Sequence, residues 1–154
     1  MKDEPIVVPW NKRLSLDKSI PLIKVVGISA AGKSTLVKGL RQAGYNAHPV
    51  SQEHSHVPDL WAQFEKSQML IYLDTTLEDQ RRRRPDVSWS EKTLEQEAER
   101  LTHARDHADL VINTAGTAAN DVLDIALTFL AHNKFKHADG PLPEIAATGS
   151  FRRK

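Results

Sequence analysis

The sequence contains no cysteine among its 154 residues. Disulfide bonds, thiolate nucleophiles and cysteine-based zinc sites are therefore excluded. The sequence also has no apolar run close to the roughly 20 residues that a membrane-spanning helix needs. Its charged beginning, Met-Lys-Asp-Glu-Pro, is unlike a signal peptide. We therefore expect a cytoplasmic protein without a membrane partner.

An excess of charge of either sign is also missing. The 21 Lys and Arg residues nearly balance the 20 Asp and Glu residues, so the formal net charge is +1. This balance gives no general attraction to nucleic acid, which we do not expect as a partner. The hydrophobic fraction of 40% and the charged fraction of 27% are typical of a globular chain, and the length favours one domain.

We place this domain at residues 20–133. Residues 1–19 contain two prolines and mixed charges without a sustained hydrophobic period, which predicts an N-terminal arm. From residue 134 the period is lost, and glycines, prolines and a basic end follow. This composition predicts a flexible tail over residues 134–154.

One stretch carries a specific motif. Residues 27–35 read Gly-Ile-Ser-Ala-Ala-Gly-Lys-Ser-Thr, which matches the phosphate-loop pattern of Gly, four residues, and Gly-Lys-Ser/Thr. The glycines let backbone N–H groups approach an anion, and the N-terminus of the following helix adds partial positive charge. Lys33 can reach the β- and γ-phosphates, and the Ser34 hydroxyl can complete the shell of a Mg²⁺ between them. The predicted nucleotide contacts in this stretch are Gly27, Ser29, Ala30, Ala31, Gly32, Lys33, Ser34 and Thr35.

The surroundings of the motif indicate the fold class. A β-branched apolar run at residues 20–28 precedes the motif, and helical spacing follows it. Further strands are predicted at residues 45–51, 69–74 and 109–113, alternating with helices. The alternation predicts an α/β fold, a three-layer αβα sandwich with a small parallel sheet. Pro49 should place its strand at an edge or make it short.

Two helix starts have candidate capping residues. Ser90 precedes a helix whose apolar stripe extends to residue 108, and Thr117 precedes the last helix. The stripe is predicted to bury one face of the helix against the core. Its members are Leu94, Ala98, Leu101 and Ala108.

Over residues 23–130 the order of elements resembles that of the P-loop kinases of small molecules, which include nucleoside monophosphate, shikimate and gluconate kinases. The resemblance implies a fold of the P-loop NTPase type. It also implies that the loop after the last strand, which begins at Thr114, holds the adenine. The matching parts are the phosphate loop at residues 27–34, the strand at 70–74 with the arginines at 81–84, and the helix and strand at 105–114.

The chain departs from these kinases between its second strand and residue 70. There the connection is too short for the usual third strand and separate acceptor-binding region. Either the acceptor site is much reduced, or the acceptor is small or is presented by a partner. The chain also lacks the Asn-Lys-x-Asp signal of GTP-binding proteins after a strand, which favours ATP.

Phosphoryl transfer also needs a carboxylate beside the phosphate loop, either to hold the shell of Mg²⁺ or to accept the acceptor's proton. Glu53 is the first candidate, because the shortened chain puts its strand next to the loop strand. Asp74, at the end of another strand, is the second. For either residue the alternative is a solvated carboxylate at a strand end.

Basic side chains supply further candidates. One or two of the arginines at residues 81–84, with Arg81 taken as the contact, are predicted to close over the phosphates, as lid arginines do in the kinases that the chain resembles. A nucleic-acid contact is the alternative for this run, which the neutral overall charge disfavours. Arg105 could reach the γ-phosphate or the acceptor, or form a salt bridge. His54 and His56 could bind an acceptor or a metal, or could be surface residues without a third ligand.

Together these observations favour a kinase that transfers the γ-phosphate of Mg-ATP to a small molecule. The first alternative is a nucleotide-binding regulatory module, or a slow ATPase, that acts through a partner. The reduced acceptor region favours this alternative. A nucleic-acid-linked ATPase that uses the arginine run is the remaining one.

Overall fold

The computed structural model describes residues 19–63 and 65–145. Nearly all of the predicted N-terminal arm and the last nine residues of the predicted tail lie outside the described residues. In the described part, no helix is both long and apolar enough to cross a bilayer.

A four-stranded, fully parallel sheet forms the centre of the molecule. The strands run in the order β2-β1-β3-β4, and side chains on both faces of β1 and β3 are buried. The predicted α/β class and the small parallel sheet are confirmed, as is the edge position of the strand that contains Pro49, which cannot donate to a ladder. The strands are β1 (Leu22–Gly27), β2 (Asn46–Pro49), β3 (Met69–Asp74) and β4 (Leu110–Asn113).

Helices cover the sheet, and the described residues contain five of them. The first and last helices contact each other, and the first also contacts β1 and β2, whereas the fourth contacts β3. This arrangement is compatible with the three predicted layers. The helices are α1 (Lys33–Gln42), α2 (Leu77–Arg83), α3 (Glu91–Arg100), α4 (Thr102–His107) and α5 (Ala119–His132).

Two short 3₁₀ turns, Gln52–His54 and Leu60–Ala62, lie between β2 and β3. Each turn is three residues long. The described residues of this connection therefore contribute turns to the domain, rather than a further strand of the sheet.

The predicted helix after Ser90 packs Leu94, Leu101 and Ala108 against the core as expected, but its continuity and the burial of Ala98 are wrong. The chain forms α3 and α4, which are separated at Leu101, where ψ is 0° instead of the helical value near −42°. Ala98 is exposed, and Glu97 is buried in its place. The stripe follows Glu97 because a spacing of three and then four residues, from Leu94 to Leu101, also satisfies the helical period.

The two predicted helix caps have different outcomes. The Ser90 cap is confirmed, since its hydroxyl accepts a hydrogen bond from the Thr93 N–H at 3.1 Å. The Thr117 cap is wrong: α5 begins after Ala118 without a side-chain cap. The Thr117 hydroxyl donates instead to the Ala115 carbonyl at 3.3 Å, a bond within the preceding turn.

The first part of the predicted tail lies against the end of α1. The Ala138 N–H donates to the Gly44 carbonyl, and the Leu142 N–H donates to the Arg41 carbonyl, both at 2.8 Å. The buried Arg41 side chain donates to the Pro143 carbonyl at 2.6 Å. Residues 138–143 therefore pack on the domain.

Candidate functional site

The phosphate-loop motif lies at the carboxyl end of β1, a central strand of the sheet. β1 ends at Gly27 and α1 begins at Lys33, so the helix N-terminus opens at the edge where parallel α/β sheets carry their ligand sites. A Cβ at Gly27 would lie 2.5 Å from the Leu73 carbonyl oxygen on β3. Glycine is therefore needed at this position for space, because the two strands leave no room for a side chain.

The backbone of the loop is left-handed at two residues. Ala30 has φ of 66° and Gly32 has φ of 101°. Glycine adopts such angles freely, whereas alanine in the left-handed region costs roughly 1–2 kcal/mol. Turns of this kind direct neighbouring N–H groups into one concavity, which suits an anion. The strained residue therefore lies inside the predicted phosphate cradle.

Three consecutive carbonyl groups of the loop are held by side chains from other elements. The donors come from α2 and from the end of the strand β4. Each bond orients one peptide unit, so the curl of the loop is specified by the surrounding fold. The bonds run from Gln80 to the Ser29 carbonyl at 2.9 Å, from Arg83 to the Ala30 carbonyl at 2.8 Å, and from the Thr114 hydroxyl to the Ala31 carbonyl at 2.9 Å.

Four backbone N–H groups of the loop and of the start of α1 are left available. In a trans peptide the C=O of one residue and the N–H of the next point in opposite directions. The N–H groups of Ala30 and Gly32 therefore point away from the side chains that hold the carbonyls. The described residues supply no acceptor for these two groups, or for the N–H groups of Lys33 and Ser34. These N–H groups form a set of donors of the kind that binds phosphate at a helix N-terminus.

The structure brings Lys33 and Glu53 together. The Lys33 ammonium lies 2.7 Å from Glu53 Oε2 and 3.0 Å from the Gly27 carbonyl oxygen. The side chains are only 13% and 5% exposed, respectively. Glu53 reaches this position because it follows β2, which pairs directly with β1. The predicted ammonium and carboxylate therefore form one buried ion pair at the loop.

The other carboxylate oxygen of Glu53 is unusual. Oε1 is buried and has no hydrogen-bond partner in the described part of the chain, a condition that normally costs free energy. Glu53 and Ser34 line the same cleft. The described residues contain no group of three metal-ligating side chains, but Mg²⁺ is commonly held by one or two carboxylates together with substrate phosphates. A carboxylate oxygen and a hydroxyl therefore fit Mg²⁺ at this place.

A cleft of about 880 Å³ opens in front of the loop. This volume lies within the range of small-molecule sites, roughly 300–1,000 Å³. The helix N-terminus forms one wall of the cleft. Besides the loop, side chains that line it include Glu53, His54, Arg82, Arg83, Arg84 and Trp89.

The arginine run divides between two roles. Arg82 and Arg84 line the cleft with side chains that are 62% and 58% exposed, and they pair with Asp79 and, at 3.2 Å, with Asp86, respectively. Arg83 is committed to the loop carbonyl and to Asp79, 2.8 Å away. Arg81, the predicted phosphate contact, is exposed outside the cleft lining and donates to the Trp89 carbonyl at 3.4 Å.

Asp79 anchors this run from inside the protein. Its buried carboxylate pairs with Arg82 and Arg83 and accepts the Gly116 N–H at 3.3 Å. Burial alone would raise the pKa of Asp79. The hydrogen bonds from Arg82 and Gly116, with the charges of both arginines, outweigh burial and lower that pKa. Asp79 therefore stays ionised and fixes the base of the arginine run.

Asp74 and Arg105 lie together, apart from the cleft. Arg105 is 4.0 Å from Asp74 and stands over the ring of Tyr72, 5.4 Å from its centroid. Burial, with the nearby charge of Asp74, raises the pKa of Tyr72 to about 12. Neither Asp74 nor Arg105 lines the cleft. Their geometry matches the salt-bridge alternative for Arg105, and the catalytic roles of both residues stay predictions.

Glu97 is a site residue that was not predicted from the sequence. Its carboxylate, on α3, is buried and accepts the Ser29 N–H at 2.9 Å and the Ser29 hydroxyl at 2.7 Å. The signal was present in the sequence, because Glu97 stands on the apolar stripe between Leu94 and Leu101. An acidic residue within such a stripe is buried only when it has a partner.

The site thus unites the phosphate loop with Lys33, Ser34, Glu53 and the exposed arginines. His54 also lines the cleft, with its Nε2 3.6 Å from Glu53 Oε2, whereas His56 lies in a separate hollow. No protein-family model matches the chain, and no curated protein matches it with significance.

Proposed function

We propose that this protein is a P-loop NTPase-type phosphotransferase that moves the γ-phosphate of Mg-ATP to a small-molecule acceptor. One observation carries the proposal. The Lys33 ammonium lies 2.7 Å from the buried carboxylate of Glu53, beside a helix N-terminus whose N–H groups have no acceptor among the described residues. The ammonium and the N–H groups suit the phosphates of ATP, and a carboxylate suits the hydroxyl of the small molecule that accepts the phosphoryl group.

The donor's phosphates would lie against the loop. The N–H groups of Gly32, Lys33 and Ser34 offer preorganised donors, and the Lys33 ammonium adds a full charge. Arg82 and Arg84 are exposed enough to close over the same cleft. These groups would offset the negative charge of a polyphosphate.

The residues that would hold Mg²⁺ are Ser34, through its hydroxyl, and Glu53, through the oxygen that has no partner within the described chain. When bound, the ion would neutralise charge on the β- and γ-phosphates.

The alternative role for Glu53, in place of holding Mg²⁺, is that of base. Its Oε2 holds Lys33, which leaves Oε1 to accept a proton from an acceptor hydroxyl. As the acceptor oxygen bonds to the γ-phosphorus, the bond from that phosphorus to the β–γ bridging oxygen breaks and ADP leaves. The acceptor's proton moves to Glu53, so charge and atoms balance.

A nucleotide-binding module that acts through a partner is the second candidate. The observation that favours it is the short connection between β2 and β3, whose described residues form two 3₁₀ turns, Gln52–His54 and Leu60–Ala62. Such a connection offers little surface for a dedicated acceptor site.

A transfer assay separates the two candidates. The purified protein is incubated with Mg-ATP and, in turn, nucleosides, nucleotides, sugars and hydroxy acids, and mass spectrometry follows ADP and the phosphorylated acceptor. We expect one class to gain a phosphoryl group together with ADP formation, and Lys33→Ala to abolish both. Slow ADP formation that is independent of every acceptor would contradict the kinase proposal and support the module.

A further inference from the structure

The carboxylate of Glu97 is the only acidic side chain that contacts the phosphate loop itself in the described structure, apart from Glu53 at Lys33. Glu97 lies on α3, is 4% exposed, and has no lysine, arginine or histidine within ion-pair distance among the described residues. A buried carboxylate is costly without compensation. Here the compensation comes from the two hydrogen bonds that Ser29 donates.

Ser29 is held from both sides. Its N–H and its hydroxyl donate to Glu97, while its carbonyl accepts from Gln80 on α2. Every polar group of this residue is therefore engaged, and the next peptide unit, which carries the Ala30 N–H, has a set direction. Ala30 is the strained residue of the loop. Its unfavourable conformation is therefore held by side chains of α2 and α3, which lie outside the loop.

The same helix also contacts the segment that carries Glu53. Arg100, one turn after Glu97, donates to the Glu53 backbone carbonyl at 3.3 Å. α3 thus contacts the loop through Glu97 and the carboxylate-bearing turn through Arg100.

We propose that Glu97 is a positioning residue that holds the phosphate loop in its anion-binding conformation. This inference rests on the proposed function, since it concerns the same loop and takes Mg-ATP as the ligand. Glu97 acts through its hydrogen bonds to Ser29, and its negative charge is not required. That charge lies beside a site for a polyphosphate, where like charges repel.

Two substitutions separate the hydrogen bonds from the charge. In Glu97→Gln, the amide oxygen can accept the Ser29 N–H, and the amide N–H can donate to the Ser29 hydroxyl oxygen. Glu97→Ala removes both bonds and leaves the loop donors without a partner. Glu95→Ala is the matched control, because Glu95 is an exposed glutamate on the same helix.

The measurement is a calorimetric titration of Mg-ATP into each variant, with thermal unfolding without nucleotide as a check on folding. We expect Glu97→Ala to bind Mg-ATP roughly ten-fold or more weakly, the effect of losing hydrogen bonds to a charged group. Glu97→Gln should bind as tightly as the parent or more tightly, and Glu95→Ala should equal the parent. All comparisons are made below the unfolding transition of each variant.

Equal affinity of Glu97→Ala and the parent would overturn the inference while leaving the proposed function intact, whereas failure of the parent to bind Mg-ATP would overturn both. A loss in Glu97→Gln as large as that in Glu97→Ala would also overturn it, because the charge would then be essential. If Glu97→Ala does not fold, Ser29→Ala and Glu97→Gln decide. In that case we expect Ser29→Ala to bind Mg-ATP more weakly than the parent, and Glu97→Gln to bind it at least as tightly. Parental affinity in Ser29→Ala would contradict the inference.

Discussion

At the scale of single residues, the loop depends on side chains that its motif does not include. The pattern of glycines, lysine and serine identifies Lys33 and Ser34 directly, and the neighbouring-strand argument identifies Glu53. Gln80 and Thr114, which donate hydrogen bonds to loop carbonyls, belong to distant segments of the chain. No spacing rule relates such residues to a loop far away in the chain, so the sequence could not predict their contacts.

Asp74 illustrates a second limit at this scale. A carboxylate at the end of a buried strand was a reasonable candidate, but side chains alternate between the two faces of a strand. Asp74 shares a face with Tyr72, the face on which Arg105 lies. The sequence does not say which face of the sheet borders the cleft, so it could rank Asp74 below Glu53 but could not exclude it.

The role of Glu53 gives a prediction at the residue scale. Glu53→Gln keeps a similar shape but removes the base and one negative charge beside the phosphate site. We expect turnover to fall by roughly 100-fold or more, the usual contribution of a general base. Glu53→Gln should weaken the binding of Mg-ADP no more than it weakens the binding of Mg-ATP. Calorimetric titration of each nucleotide measures the two affinities.

Steady-state kinetics with the acceptor found in the transfer assay, or ATP hydrolysis if none is found, provides the turnover. Parental turnover in Glu53→Gln would contradict the assigned base. Glu95→Gln is the matched control, because Glu95 is an exposed glutamate on α3.

At the scale of elements, the sequence predicted the strands correctly where burial determines the residue pattern. β3 spans the predicted residues, and β2 lies at the edge that Pro49 required. The division of α3 from α4 had no such signal, since no glycine or proline marks Leu101. That break arises where a fully buried leucine meets the core, and tertiary packing of this kind is not visible in a local pattern.

The anchoring of α2 predicts a pH dependence. The pKa of Asp79 is lowered below its ordinary value of 3.8, so the unfolded chain binds this proton more readily than the folded one. Its contribution to stability is therefore complete above pH 3.8 and is lost as the pH falls through the lower, folded pKa.

The measurement is urea unfolding of the parent and of Asp79→Asn between about pH 2.5 and pH 6. We expect the parent to be more stable at pH 6, by on the order of 1–3 kcal/mol for a charged hydrogen-bonded group. The difference should shrink as the pH falls below 3.8. A difference that stays constant across this range would contradict the assigned ion pairs of Asp79 with Arg82 and Arg83.

At the scale of the whole molecule, the parallel sheet is what brings distant residues to one edge. β1 carries the loop, β2 delivers Glu53 beside it, and the segments after β3 and β4 deliver the arginines and Thr114. The sequence predicted this sheet because its strands are short apolar runs separated by helical patterns. It could not predict how closely the elements approach one another. The cleft and the side-chain hydrogen bonds to the loop carbonyls are therefore known only from the structure.

The proposed function requires that the loop and Lys33 bind the phosphates of a nucleotide. The most direct test is calorimetric titration of Mg-ATP into the parent, Lys33→Ala and Lys38→Ala. Lys38 is a fitting control, since it lies on the same helix, is 59% exposed, and is 3.9 Å from its nearest carboxylate partner, Glu144. Circular dichroism establishes that each variant is folded.

We expect saturable, magnesium-dependent binding to the parent and to Lys38→Ala, with affinity reduced by roughly 100-fold or more in Lys33→Ala, a change of about 2.7 kcal/mol. Equal affinity of folded Lys33→Ala and the parent, or no binding of Mg-ATP to the parent, would contradict the proposed function.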